Sequence, residues 1–337
     1  MYNFQESDSR ETWDNTLKQF PEANLLQSWQ WGDSNEQLGH TIVRYVVMDN
    51  HAIVGAFSGI VKNAKRGRYL EIPGGPLLDW TNQPLVDAVI TQLRTIGREH
   101  HCVFIRFRTQ LPDTSEHRQL MQKIGAKESL IHVTADHTAI VDLDRNEDTL
   151  LSAMRQQTRY EVRRSVKRDI AVEYTNPLEA IEIFHALQAE TAKRQNFYAP
   201  SLNYLRSLCV AFGDNARLYR ASKDGTVLNL ALTLTFGNEI TYFEAASTID
   251  ARKEPGAYAI IWRIMQDAKT DGLATLNLWG TAPPDAKHHR YAGVTMFKRG
   301  FGGRDVAYLP AHDIALRPVQ YLATRGFEWA RKKRRHL

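Results

Sequence analysis

The chain has 337 residues, a net charge of +5, 43% hydrophobic and 24% charged residues, and two cysteines. This composition suits two globular domains with a core each, and it excludes a disulfide framework and a membrane span. No Cys/His cluster has zinc spacing, and the opening MYNFQESDSRETW lacks the basic and apolar regions of a signal peptide, so a cytosolic protein without metal or cofactor is expected.

Trp13, Leu17 and Phe20 recur at helical spacing after Ser9, which predicts an amphipathic helix over residues 10–20, stopped by Pro21. Ser28 can cap a second helix ending at Gly39, in which Trp29 and Trp31 read as packing residues. Residues 41–48 and 52–62 are strand-like and joined by Asp49-Asn50, a hairpin signal. Residues 69–72 lead into a rigid loop, Pro73-Gly74-Gly75-Pro76. A helix over 83–100, a strand over 102–107, a helix over 115–124 and a strand over 138–143 complete the first half.

The second half opens with one long helix from 147 to 168, placing Leu150, Met154, Val162 and Val166 on its inner face. Helices over 177–196 and 201–212 follow, then strands over 216–221, 226–235 and 239–246, a helix over 256–271 and a strand over 274–279. A closing helix is expected over 317–335. Cys102 and Cys209 sit in apolar surroundings and read as core residues. Each half repeats helices, an antiparallel meander, a helix and a strand, the pattern of a mixed α/β domain used twice. No low-complexity linker separates the halves, so an intimate interface with a cleft is expected.

Charge is unevenly placed. Six cations fall between Arg155 and Arg168 against Glu161 alone, and Arg331 to Arg335 is wholly basic. Such blocks favour a polyanion such as RNA, a nucleotide diphosphate or anionic lipid. Near the end, Phe297-Lys298-Arg299 runs into Gly300, Gly302 and Gly303. Two cations beside three glycines suit an anion approaching close to backbone, or equally a glycine turn with solvated cations.

The order of motifs decides between these. QSWQWG (residues 27–32), TRYEVRRSVKRDI (158–170), TAKRQNF (191–197), TYFEAASTID (241–250) and FKRGFGG (297–303) together resemble the Fem family of non-ribosomal peptidyltransferases, in its compact form without a coiled-coil arm. The resemblance covers nearly the whole chain. It implies two tandem acetyltransferase-like domains, the first of residues 1–146 with 314–337 and the second of 147–313. The closing helix would return to the first domain.

The resemblance also implies a reaction. An amino acid passes from aminoacyl-tRNA to the peptide-stem amine of a peptidoglycan precursor, either UDP-MurNAc-pentapeptide or lipid II. The enzyme would be a monomer with peripheral contact to anionic membrane. Lys298 matches the motif lysine near acceptor and ester, and its cation can stabilise the oxyanion. It is expected to be exposed in a cleft. Phe297 would shape the acceptor pocket, and Arg194, Tyr198 and Tyr242 match precursor-binding positions. Arg299, Arg159 and Arg163 are assigned to tRNA.

There are departures. Asn35 stands where relatives often have a phosphate-binding lysine, Gly74 replaces a basic residue, and Glu244 replaces a residue that is often aromatic. His288 and His289 could act as bases, and Glu71 could bind the incoming amine. Two other classes remain: an acyl-CoA-dependent N-acyltransferase, for which no convincing pyrophosphate loop is found, and a non-catalytic RNA-binding module, for which Tyr160 is the only aromatic among the cations.

Overall fold

The structure, a computed structural model, describes residues 1–64, 67–195, 199–283 and 292–335. Tyr198, His288 and His289 lie outside these residues. Contacts divide the chain into two units, Met1–Asp136 with Ala307–Leu337, and His137–Val306.

In the first unit the strands are β1 (Asn3–Glu6), β2 (Thr41–Asp49), β3 (Ala52–Ala64), β4 (Gly67–Pro73), β5 (Leu77–Leu78), β6 (Phe104–Arg108) and β7 (Lys127–Glu128). Asp49-Asn50 makes the β2–β3 hairpin, with Asn50 in the left-handed region at φ 54°. Helix Gln83–Glu99 begins where the Asn82 side chain accepts from Leu85 N. Its buried Leu85, Val86, Val89, Ile90, Leu93 and Ile96 follow helical spacing and pack with Val47, Phe57, Leu70 and Phe107 of the sheet.

The QSWQWG stretch is spent on packing. Gln27 is fully buried and bridges two strands: Nε2 donates to the carbonyls of Ser58 (3.0 Å) and Pro73 (2.7 Å), and Oε1 accepts from Ser58 N at 2.7 Å. Ser28 Oγ accepts from Trp31 N and caps helix Trp29–Glu36. A Cβ on Gly32 would lie 2.2 Å from Arg44 Nη2, whose guanidinium stacks 3.7 Å from the Trp29 ring centre.

The second unit holds β8 (His137–Asp142), β9 (Ala171–Thr175), β10 (Ala216–Lys223), β11 (Thr226–Phe236), β12 (Glu239–Ser247), β13 (Thr275–Gly280) and β14 (Arg304–Ala307). Their order is β14-β8-β13-β12-β11-β10-β9, antiparallel from β9 to β12 and parallel between β12 and β13. Helix Gly256–Thr270 buries Ile260, Ile261, Ile264 and Met265 against Leu276, Leu278 and Ala231.

The strand expected to end the first domain is β8, and it pairs with β13 (Val141 opposite Leu276) in the second sheet. The expected long helix is two: Glu147–Ala153 and Gln156–Lys167. Met154 takes an extended conformation between them (ψ 147°), and Arg155 N donates to Gly300 O at 2.9 Å. This break rotates the second helix. Thr158, Val162 and Ser165 turn inward, and Val166, expected inside, is 71% exposed.

The chain then returns to the first unit as β15 (His312–Ala315), which pairs with β6 and completes the sheet order β1-β2-β3-β4-β6-β15-β7, with β5 beside β3. Helix Pro318–Arg335 follows and packs Tyr321 on Val103 and Phe104. Cys102 and Cys209 are free and buried. No helix among the described residues is long and apolar enough to cross a membrane.

Candidate active site

The stretch that leads to Lys298 begins on β13. Asn277 Oδ1 accepts from Trp279 N (2.9 Å) and from Thr138 Oγ1 (2.5 Å), and holds Trp279 at φ 58°. A left-handed tryptophan costs on the order of 1–3 kcal/mol. The register with β8 shifts there, and the Gly280 carbonyl accepts from Lys298 Nζ at 2.9 Å. Lys298 lies near the end of helix Ala292–Arg299, which Thr295 also ties to the strand end, its Oγ1 accepting from Ala282 N at 2.7 Å.

Lys298 is therefore buried, at 8% exposure, and not an exposed lysine. Its Nζ is 6.0 Å from the ring centre of Tyr242 on β12. Burial lowers the Lys298 ammonium to about 8, and the Glu244 carboxylate opposes the fall. Glu244, two residues beyond Tyr242, is the counterpart. Burial pushes its carboxyl up to about 7, while the Lys298 charge and a hydrogen bond from Gln188 Nε2 (2.6 Å) hold it back. Tyr242 is buried, and its phenol is raised by burial first and by the Glu244 charge second. A register shift against β11 between Leu232 and Thr233 sets the local geometry of Tyr242 and Glu244.

The other expected residues fall in different places. Phe297, partly buried, is packed edge-on against Tyr258 (4.9 Å between ring centres) and Phe301 (5.3 Å), against the second core. Arg299 Nε pairs with Asp305 at 2.7 Å and Nη2 donates to Ala282 O at 3.2 Å. Arg194, on helix Ile181–Gln195, donates to the Ser247 carbonyl at the end of β12 and to Thr191 Oγ1. It stands beside the strand of Tyr242 and Glu244, but its guanidinium is engaged by protein. Arg159 donates to the carbonyls of Leu151, Ser152 and Met154 and closes the preceding helix. Arg163 is exposed on the outer side of its helix, as are Tyr160 and Lys167.

The glycines of FKRGFGG face protein and not an open approach. A Cβ on Gly300 would meet Thr158 Oγ1 at 2.2 Å, on Gly302 the Ala153 carbonyl oxygen at 2.7 Å, and on Gly303 that of Ile140 at 2.9 Å. They let helix Ala292–Arg299 dock. In the first unit, Glu71 accepts from Lys62 at 2.5 Å, and Asn35, buried, donates to Trp31 O at 2.8 Å. The second contact uses the Asn35 amide within its own helix.

A concavity of ≈ 440 Å³ in the first unit, lined in part by Pro76, Trp80, Gln110 and His117, includes none of Lys298, Tyr242 or Glu244. Among the described residues no cluster of His, Cys, Asp or Glu could hold a metal ion. Glu244 stood out in the sequence only as a departure from an often aromatic position, with no role assigned to it.

Two mixed sheets, one per unit, each with its buried helix, define a tandem acetyltransferase-like fold. The crystal structure of FemX superposes with a TM-score of 0.85 at 18% identity, covering 95% of this chain and 99% of that one, and a tandem acetyltransferase-fold protein of clavulanic acid biosynthesis reaches 0.57 at 13%. The chain belongs to the FemAB family, which it matches over residues 9–224 and 220–328, and it is an aminoacyltransferase. It is 20% identical to the lipid II:glycine glycyltransferase of Staphylococcus epidermidis (85% of this chain, 86% of that one). To the UDP-N-acetylmuramoylpentapeptide-lysine N(6)-alanyltransferase of Weissella viridescens it is 21% identical (80% and 84%).

Proposed function

We propose that this protein transfers an amino acid from aminoacyl-tRNA to an amine on the peptide stem of a peptidoglycan precursor. The observation that carries the reading is the buried Lys298, fixed by Gly280 O and facing Tyr242 and Glu244, in a chain whose relatives are named as a glycyltransferase on lipid II and an alanyltransferase on UDP-N-acetylmuramoylpentapeptide. The aminoacyl ester is already activated, so no covalent enzyme intermediate is needed. What is needed is alignment, a neutral attacking amine and a cation for the oxyanion. Below about pH 8 Lys298 is that cation.

The donor reading is supported by the exposed Arg163 and Lys167 on helix Gln156–Lys167, where RNA phosphate can be met. Charged tRNA is found in the cytoplasm, and the acceptor is either UDP-MurNAc-pentapeptide or lipid II. Exposed Leu322 and Trp329 (65% and 57%) on a helix that also carries Lys332 and Lys333 would favour peripheral contact with anionic lipid by a monomer. Transfer is tested with a mixture of charged tRNAs and both precursors, read by mass spectrometry, beside an acyl-CoA arm. Turnover that needs charged tRNA and falls steeply with salt is expected. Turnover with acyl-CoA alone overturns the reading.

A further inference from the structure

We propose that Glu244 is the base that takes the proton from the attacking amine, and that Gln188 positions it. The inference rests on the aminoacyl-transfer reading above. It begins from how the two carboxylate oxygens are used. Oε2 accepts from Gln188 Nε2 at 2.6 Å, and Gln188 is itself fully buried on helix Ile181–Gln195. Among the described residues Oε1 has no hydrogen-bond partner. One oxygen is fixed and the other is free.

The charges around Glu244 leave it unquenched. Helix Ala292–Arg299 contributes Lys298, near enough to influence the carboxyl, but its Nζ is bonded to Gly280 O and no ion pair forms. Helix Ile181–Gln195 contributes the neutral amide of Gln188, and Arg194 of that helix is bonded to the Ser247 carbonyl. On its own strand Glu244 has the neutral Tyr242, and across β11 it faces Leu232. A carboxylate kept only for structure is saturated, as Glu239 of the same strand is by Asn277 and Thr275. Glu244 keeps an acceptor in hand beside the lysine of the site.

The chemistry requires such a group. A primary alkyl amine reaches the enzyme as an ammonium and cannot attack until one proton leaves. A base titrating at about 7 is matched to that task. Glu244 accepts one proton, and the nitrogen lone pair forms the N–C bond as the carbonyl electrons move onto oxygen beside Lys298. On collapse the ester C–O bond breaks, the second surplus proton on nitrogen passes to the departing ribose oxygen, and Glu244 returns its proton to solvent. The products are an amide, the free tRNA hydroxyl and one proton.

The test compares wild type with E244Q, E244D and Q188L at saturating charged tRNA and precursor across pH 5.5–9. Wild type should give a bell with limbs at about 7 and about 8. E244Q should lose about 10²–10³-fold in kcat with KM within threefold, and its acid limb should vanish. E244D should recover part of the loss. Q188L should move the acid limb upward, because a bond to the charged carboxylate is gone. If Glu244 works only by sustaining the Lys298 charge, lowering the pH restores the E244Q rate, and that result overturns the assignment. An E244Q enzyme that keeps its kcat and acid limb does so too. A wild type inactive with every charged tRNA ends the functional reading, and this assignment with it. Circular dichroism on each variant separates misfolding from lost chemistry.

Discussion

The two units each bury charge, and they treat it in opposite ways. In the first, Arg106 on β6 donates Nε and Nη2 to both oxygens of Asp313 on β15 (2.7 and 2.9 Å) and Nη1 and Nη2 to Glu328 of the closing helix (3.2 and 3.0 Å). Tyr321 OH adds a bond to Asp313 at 3.0 Å. The three charged side chains are 5%, 1% and 5% exposed. Burial works against the Arg106 charge, but the bonds and charges of Asp313 and Glu328 outweigh it, and the guanidinium is held above its ordinary value. In the second, Lys298 and Glu244 are both driven toward neutrality and form no ion pair. Saturated charges fasten an element of the fold, whereas unsaturated ones near neutrality are ready to exchange protons.

The sharpest way to break this comparison is Arg106→Met. It removes the Arg106 charge from buried Asp313 and Glu328, and about 3–5 kcal/mol of stability should be lost in urea unfolding. A loss below about 1 kcal/mol would show that the closing helix does not depend on the cluster.

Lys298→Ala should act on rate instead. Turnover at saturating substrates should fall about a hundredfold or more, the scale for one oxyanion donor, and Lys298→Arg should not restore it, because a planar fork cannot replace a compact ammonium. Near-normal kcat with a raised KM would make Lys298 a binding residue.

Stability should move the other way in the second unit. Glu244 has a raised value, so its contribution to stability is full below about 4.5 and is lost as pH rises through about 7. Lys298 has a lowered value, so its contribution is present above about 10.5 and lost as pH falls through about 8. Both are charged, at a cost, between about 7 and 8. The double variant Lys298→Met, Glu244→Gln should therefore gain on the order of 1–3 kcal/mol at pH 7.5, and less at pH 5. A loss at pH 7.5 would place the pair with Arg106 as a fastening.

The smallest effect is expected at the surface. Arg163→Ala with Lys167→Ala should leave turnover at saturation unchanged and flatten the log–log salt dependence of tRNA binding by about 1–2, one phosphate per cation lost. An unchanged slope would leave that helix face without a role in RNA binding.

Local pattern alone located much of the scaffold. The apolar period of residues 83–99, with Asn82 and Pro84 at its start, describes a helix wherever it packs, and Asp49-Asn50 describes a hairpin. Lys298 and Tyr242 could be singled out because each lies in a motif. Where pattern failed, a distant partner decided the outcome. The run from 147 to 168 is helical by period, yet it breaks at Met154, where Arg155 N meets Gly300 O from far along the chain. Arg159 had the spacing of a ligand cation and is used by three carbonyls of the turn before it.

The sequence by itself determined the two mixed α/β halves and the family, and it singled out Lys298 as a candidate, because periodicity and motif order are properties of neighbours along the chain. Only tertiary structure decided that Lys298 is buried, that the glycines after it face Thr158, Ala153 and Ile140, and that Glu244 lies in reach of its charge. The protonation of both groups follows from that burial. Desolvation depends on which atoms surround a charge, and those atoms come from β12, β13 and two helices that no local stretch of sequence brings together.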